Sequence, residues 1–521
     1  MAKVERDIRP TPTDGYPSPT STIQAQTENI LRNRIPSTST LPSDSTKNDG
    51  TLQRNSHLQF LLRNLVQGFP ARYVSQDASQ PWLIFWTLQG FSVLGVGLDE
   101  QTKRRAIDTL LALQHPDGGF CGGPGQFPHL LPTYAAVSAL AIVGKPGENG
   151  GWDQIDRKKC YDFFMSLKQP DGSFLVSHDA EVDVRGIYCL LTVATMLNML
   201  TPELLEGTPE FIASCQTYEG GFGSASFPGW AIRDKDDIEP GEPLLDPSAP
   251  RPPLGEAHGG YTFCATASWI YLQPYLRTYY DSSSAAAAPK INTKSLLRWA
   301  THMQGLEIEL GGFKGRTNKL VDGCYSWWVG GCVGLVEGLL GFGHSNPLHS
   351  ESQSKGEDEG MKGEDKENEE WDDVDDSLFN RKALQEYILY AGQHPAGGLV
   401  DKPPKVADSY HTLYCLSGLS AAQHRVTPST AQKIVLQSLW KDEEVPDDET
   451  EKKLQALRKE AFTSSLSWLE EEGTEKYVGG SQNRLNATHP LFNLTVTHSE
   501  GIMAHFYGRQ IPSRASRSTK K

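Results

Sequence analysis

One short pattern recurs along this chain and constrains its fold more than any other feature. It reads Gln114-His115-Pro116-Asp117-Gly118-Gly119-Phe120, then Gln169-Pro170-Asp171-Gly172-Ser173-Phe174, then Gln216-Thr217-Tyr218-Glu219-Gly220-Gly221-Phe222. A stretched copy runs from Gln304 to Gly311-Gly312-Phe313, and another is Gln393-His394-Pro395-Ala396-Gly397-Gly398-Leu399. Behind each glycine turn lies a polar or basic linker, then a segment rich in Ala, Leu, Tyr and Cys. Two of these segments open on Tyr134-Ala135-Ala136-Val137 and Tyr188-Cys189-Leu190-Leu191. The others open on Tyr261-Thr262-Phe263-Cys264, Cys324-Tyr325-Ser326-Trp327 and Tyr410-His411-Thr412-Leu413. The unit is helix, glycine turn, helix, with a period of roughly 50 residues before insertions. One helical hairpin cannot bury its apolar face alone, so the units must stack. Strand signals are nearly absent, which makes the class all-α. Stacked hairpins form either an open solenoid or a closed ring, and periodicity alone does not choose. The aromatic helix starts all follow glycine turns, so they belong at one end of the assembly. A closed ring would gather them into one cavity.

Around this array the composition changes. Residues 1 to about 55 are rich in Ser, Thr, Pro, Asn and Asp and lack a hydrophobic period, so disorder is expected there. The ordered domain is expected over residues 56–510, starting near His57-Leu58-Gln59-Phe60-Leu61. Three insertions interrupt it, at about 232–254, 344–377 and 441–485; the second is low-complexity and acidic, the third charged and partly helical. The basic tail 511–521 is expected to fray. A formal net charge of -15 argues against nucleic acid as a partner. No apolar run is long enough to span a bilayer, and the N-terminal stretch has no apolar core of a secretory signal. Eight cysteines in 521 residues are too sparse for a disulfide framework. Reduced thiols in the cytoplasm are the expectation.

The chemistry concentrates between Gly311 and Leu335, in GGFKGRTNKLVDGCYSWWVGGCVGL. Two cations, Arg316 and Lys319, precede a carboxylate, Asp322, and a thiol, Cys324. At a loop-to-helix junction, with Gly323 between them, carboxylate and thiol can converge on one ion; both are allowed zinc ligands. A third ligand is His411, which heads the fifth repeat helix where Cys324 heads the fourth. Together they offer O, S and N with a fourth position open, a catalytic count. The bland alternative is a small buried Cys beside an unrelated Asp and His. His258 precedes the third repeat helix, and with Arg316, Lys319 and Tyr325 it could line an anion pocket. Equally, these cations could be surface groups pairing with an acidic protein. Trp82 and Trp86 share one face of a helix that starts near Ser79, and core packing explains them as well as binding does.

At this point the motifs carry a resemblance. PWLxxW, DGGFxGGPGQxPHLxPTYAAV, DVRxxYC, HGGYTFC, GRxNKLVDGCYSxW, DKPxKxxDxYHTxYCLSGLS and THPLFN together resemble the β subunits of the protein farnesyltransferases, within the protein prenyltransferase family. They cover most of residues 57 to 510. The resemblance implies an α/α barrel, or toroid, bound by a separate helical-repeat α subunit. It implies one zinc held by Asp322, Cys324 and His411. It implies diphosphate contacts from His258, Arg316, Lys319 and Tyr325, with Asp401 holding magnesium and Lys405 nearby. The isoprenoid would lie along Trp82, Arg185, Tyr188, Gly260, Tyr261, Cys264 and Trp328. The acceptor peptide would meet Ser79, Trp82, Trp86, His129, Glu181, Arg185 and Tyr410. Phe85, Trp327 and Val329 depart from the family's usual Tyr, Phe and Gln, which touches pocket detail only.

The implied reaction is transfer of farnesyl from farnesyl diphosphate to the cysteine of a C-terminal C-a-a-X motif, as on Ras-like GTPases. Bulky Trp82 and Tyr414 favour farnesyl over the longer geranylgeranyl chain, whose type I transferase β subunit is the alternative. A terpene cyclase would need an acidic D-x-D-D initiator in a core repeat, and none stands there. A non-catalytic repeat scaffold would need none of Asp322, Cys324 and His411.

Overall fold

A computed structural model describes residues 8–34, 50–227, 251–280, 288–341, 377–440 and 448–508. Of the expected insertions and tail, 232–250, 344–376, 441–447 and 511–521 lie outside the described residues.

The recurring Gln explains how one hairpin finds the next. Gln114 accepts from the N–H of Asp156 at 2.9 Å, and Asp156 is the cap of the following outer helix, Arg157–Leu167. Gln216 does the same for Asn292 at 2.7 Å, and Gln304 for Asn380 at 2.9 Å. Gln393 accepts from Gln53 at 2.7 Å, so the fifth turn docks on the helix Arg54–Gln67 at the start of the domain. Gln169 departs from the pattern and donates to Leu167 instead. The glycines are required by the same docking. A Cβ on Gly118, whose φ is +105°, would stand 2.0 Å from the carbonyl oxygen of Lys159.

Each turn leads into an inner helix. These are Gln80–Val93, Leu130–Val143, Val184–Met196, Gly259–Tyr279, Tyr325–Trp328 continued by Gly330–Leu339, and Ser409–Gln423. Each packs on the next, and Ser409–Gln423 packs back on Gln80–Val93, which closes the ring. The inner helices are apolar nearly all round because both faces are covered; Leu130–Val143 buries almost every residue. Outer helices such as Glu100–Leu111 bury one stripe, Ile107 and Leu110. Among the described residues, the strands are three antiparallel pairs of two or three residues each. The expected all-α barrel is what the chain forms, and of the two arrangements left open by periodicity it takes the ring.

The far end of the barrel is closed by the C-terminal segment. Tyr134 donates to the Phe492 carbonyl at 3.0 Å, and Tyr188 and Tyr271 donate to that of Leu491 at 2.9 and 3.1 Å.

One expectation needs correction. Disorder over residues 1 to about 55 fails at Pro19–Arg32, which is a helix. Ser18 and Ser21 cap its first turn reciprocally, Leu31 is fully buried, and Gln24 donates to Glu309 at 3.0 Å. The stretch 441–485 is partly helical, as expected. Its helix Glu449–Ser465 buries Leu457, Ala461 and Phe462 and packs on Gly259–Tyr279.

Candidate active site

The glycine turns put every inner-helix N-terminus at one end of the ring. The capping residues there are His129, Asp183, His258 and Asp408, each accepting a backbone N–H of its own first turn. Cys324 stands at the corresponding end of Tyr325–Trp328.

Asp322, Cys324 and His411 meet at this rim. One ligand atom from each lies within 4.8 Å of the other two. His411 Nε2 is 3.4 Å from Asp322 Oδ1, and its Nδ1 is 2.6 Å from Asp408 Oδ2. That second contact keeps the Nδ1 proton in place and leaves Nε2 facing Asp322 and the thiol. Asp322 also accepts the N–H of Cys324 at 2.9 Å. Two carboxylates beside a buried thiol and an imidazole make this a cluster that favours positive charge. Burial and the charge of Asp322 push the Cys324 thiol well up. Burial opposes the imidazolium of His411, but Asp322 and Asp408 outweigh it and raise the group to about 10. Asp322 is held down to about 2 against its own burial, chiefly by His411. A divalent cation would replace that proton as counter-charge, and an O, S, N set with an orienting carboxylate behind the His fits zinc.

Beside this cluster opens a cavity of about 390 Å³, lined mainly by aromatic rings. Trp82 packs on Trp86 and Tyr134 with ring centroids 5.6 and 5.4 Å apart. Trp328 packs on Tyr414 at 4.5 Å and donates to the Tyr410 hydroxyl at 2.9 Å. Polar groups gather on one side of the mouth. His258 Nδ1 accepts from Gly260, and its Nε2 lies 3.0 Å from the Tyr325 hydroxyl. Burial, then Arg316 and Arg185, lower His258 to about 4, so its ring is neutral. With Nδ1 accepting, the proton sits on Nε2 and bonds the Tyr325 oxygen. The Tyr325 proton is then available to an anion. Arg316 pairs with Glu256 at 2.7 Å at the half-exposed rim, and Lys319 is exposed. Arg185 is clamped by Asp183 at 2.6 Å and lies 5.2 Å over the Tyr261 ring.

With this geometry in view, the comparisons are decisive. The family model described as the prenyltransferase alpha-alpha toroid domain matches residues 52–494. The chain belongs to the prenyltransferase α/α-toroid family. It is 36% identical to a protein farnesyltransferase subunit beta of Arabidopsis thaliana, over 72% of this chain and 73% of that one. It is 38% identical to the subunit of that name from Saccharomyces cerevisiae, over 73% of this chain and 71% of the other. Identity to the geranylgeranyl transferase type-1 subunit beta of Arabidopsis thaliana is 26%, over 72% and 86%. In fold, it matches a chain of the Candida albicans protein geranylgeranyltransferase-I complexed with GGPP. The TM-score is 0.54 at 18% identity, covering 88% of this chain and 99% of that one.

This prenyltransferase chain brings together most of the residues singled out in its sequence. Ser79, Trp82, Trp86, Arg185, Tyr188, His258, Gly260, Tyr261, Cys264, Tyr325, Trp328 and Tyr410 line the cavity. His129 and Glu181 do not; they stand at the rim, where Glu181 and Arg185 act in opposite senses on a His129 lowered chiefly by burial. Asp401 is also outside the cavity, paired with Lys402, while its carbonyl accepts from Gly323 at 2.7 Å. Burial and the nearby Asp322 raise Asp401 above the ordinary carboxylate value. Lys405 is exposed. Leu131, Tyr134 and Cys189 line the cavity without having been singled out. Tyr134 had a signal: it follows its helix cap His129 by five residues, as Tyr188 follows Asp183.

Proposed function

We propose that this chain is the catalytic β subunit of a protein farnesyltransferase. It would work with a separate α subunit, in the cytoplasm, on proteins ending in C-a-a-X, Ras-like GTPases among them. The observation that carries this reading is the meeting of Asp322, Cys324 and His411 within 4.8 Å, beside an aromatic cavity lined by Tyr325 and Tyr410, the chain neighbours of Cys324 and His411. A lipid-binding cavity and a thiol-activating centre side by side are what S-prenylation needs.

Asp322, Cys324 and His411 would hold one zinc ion, with Asp408 fixing the imidazole. Zinc bound there supplies a site where an incoming thiol, whose free pKa is about 8.5, persists as thiolate at neutral pH. The reaction forms a sulfur–carbon bond at C1 of farnesyl diphosphate and breaks the bond from C1 to the bridging oxygen. The electron pair leaves with diphosphate. Tyr325 donates to that growing charge, held in line by His258, and Arg316 and Lys319 add cationic contacts. Diphosphate competes easily for Arg316, because an exposed ion pair such as that with Glu256 is worth under about 1 kcal/mol. Asp401 would take magnesium on the diphosphate, with Lys405 nearby. The isoprenoid lies along Trp82, Tyr188, Tyr261, Cys264 and Trp328. The peptide enters past Trp86 and Tyr410, with its carboxylate towards His129, Glu181 and Arg185.

The test is co-expression with the cognate α subunit, then metal analysis and transfer assays with farnesyl and geranylgeranyl diphosphate, with and without a zinc chelator. One zinc per heterodimer and chelator-sensitive farnesyl transfer are expected. Transfer that survives complete zinc removal would defeat the proposal. Trp82→Thr removes an indole from the cavity and should admit the longer lipid, raising its use at least about tenfold. Unchanged product ratios would show that Trp82 sets no limit.

A further inference from the structure

The first N–H groups of a helix have no partner inside it, so something outside must meet them. In this barrel the partner follows a rule. At the head of each inner helix an N–H donates to the linker that leads into the next one. Gln80 donates to the Gly122 carbonyl at 2.9 Å, Leu130 to that of Val176 at 2.8 Å and Val184 to that of Ser224 at 2.8 Å. Gly259 donates to Gly315 at 2.7 Å, and Gly323, one residue before Cys324, to Asp401 at 2.7 Å. These acceptors are all main-chain carbonyls.

For the last inner helix, Ser409–Gln423, the next linker lies across the seam; it is the segment Ala71–Ser79 that leads into Gln80–Val93. Here the acceptor is a side chain. The N–H of Ser409 donates to the Tyr73 hydroxyl at 3.0 Å. That hydroxyl also lies 3.3 Å from Ser409 Oγ, which accepts from Asn64 at 3.1 Å. Ser409 and Asn64 are buried, and the half-buried Tyr73 ring rests on Phe69 at 5.1 Å. Ser409 stands between Asp408, which orients His411, and Tyr410, which lines the cavity. The two halves of the ligand set are thus held from opposite sides. The strand of chain bearing Asp322 and Cys324 is tied through Gly323 to a carbonyl, and the helix bearing His411 is tied through Ser409 to a phenol. Helix ends fray, and His411 sits in a first turn. We propose that Tyr73 is a positioning residue for the metal centre: its hydroxyl completes the ring of head-to-linker hydrogen bonds and fixes the turn that carries His411, with Asn64 steadying the Ser409 hydroxyl. Tyr73 is none of the ligands and does not line the cavity; it acts through Ser409. The inference rests on the zinc reading above.

The heterodimer with its α subunit is the test object. Tyr73→Phe removes one oxygen and keeps the ring on Phe69, so the barrel should still close. Zinc affinity is read by chelator competition, and the cobalt-substituted protein by its visible absorption. The control is Tyr161→Phe, which removes a hydroxyl paired with Thr201 at 2.7 Å on the outer helix Arg157–Leu167. We expect Tyr73→Phe to bind zinc about three- to tenfold more weakly, the worth of one ordinary hydrogen bond, and to shift the cobalt bands. Tyr161→Phe should change neither. Wild-type zinc affinity in Tyr73→Phe, unshifted cobalt bands, or an equal loss in Tyr161→Phe overturns the proposal. If Tyr73→Phe fails to fold, Asn64→Leu, which releases the other hold on Ser409, is read against the same outcomes. A wild-type heterodimer that binds no zinc would instead defeat the functional reading itself.

Discussion

Asp408 does two jobs with one carboxylate. It caps the helix Ser409–Gln423 by accepting from the N–H of His411 at 2.8 Å, and its other oxygen holds His411 Nδ1 at 2.6 Å. The two can be separated. Asn caps a helix about as well as Asp, so Asp408→Asn should leave the helix and the overall stability nearly unchanged. It removes the charge that orients the imidazole and raises its basicity. We therefore expect metal affinity to fall about 10–100-fold, read by chelator competition rather than by turnover. Affinity equal to the wild type would show that Asp408 serves the helix only. The three ligands themselves were legible in the sequence because equivalent places in adjacent repeats become neighbours in space. Tyr134 was not picked out, because its place matters only once the ring is known to close. In an open solenoid the same residue would face solvent or a partner.

The helix Pro19–Arg32 shows where composition misleads. Its residues are mostly polar, so no apolar stripe announces it, and its mean burial is low. Yet its reciprocal Ser18–Ser21 cap, Pro at the first position and a fully buried Leu31 are enough when the barrel offers a docking site at Glu307–Glu309. Such a helix is held by tertiary contact and not by its own propensity. Leu31→Ala should therefore release it alone. Hydrogen exchange should accelerate across residues 19–32 while the barrel's midpoint temperature stays the same. A drop of several degrees in that midpoint would mean the helix is part of the cooperative core. Glu449–Ser465 is the converse case. Its charge marks an insertion of helical character, and Leu457, Ala461 and Phe462 are among the residues it buries. What could be read at this level was the glycine turn itself. The docking partner of each turn could not be read, since Gln bonding the next cap requires the fold to bring them together.

At the scale of the whole molecule, stability depends on protons and on closure. His57 is held at about 4 chiefly by burial, with Gln393 opposing, and His498 at about 4 by burial and Lys103. An unfolded histidine binds its proton near about 6.5. Between pH 6.5 and 4 the unfolded chain therefore carries the extra protons, so stability is full above 6.5 and falls as pH drops through that window. Each such histidine adds a slope of about 1.4 kcal/mol per pH unit, and His498→Gln should flatten the curve of stability against pH by that amount. An unchanged slope would mean His498 gains its proton without unfolding. Closure is the deeper dependence. Gly397 has φ +88°, and a Cβ there would lie 2.2 Å from the carbonyl oxygen of Ser56. Gly118 carries a similar local penalty, but its turn joins neighbouring repeats. The turn at Gly397 joins the last repeat to the first. In an open solenoid a lesion in an end repeat stays local. In this ring it strains the seam between Gln80–Val93 and Ser409–Gln423, and the second of these carries His411. We expect Gly397→Ala to cost about 1–3 kcal/mol. Hydrogen exchange should quicken in Arg54–Gln67 and Ser409–Gln423 together, and metal affinity should fall although no ligand has changed. Faster exchange confined to the turn, with metal affinity intact, would show that the wall holds without its seam.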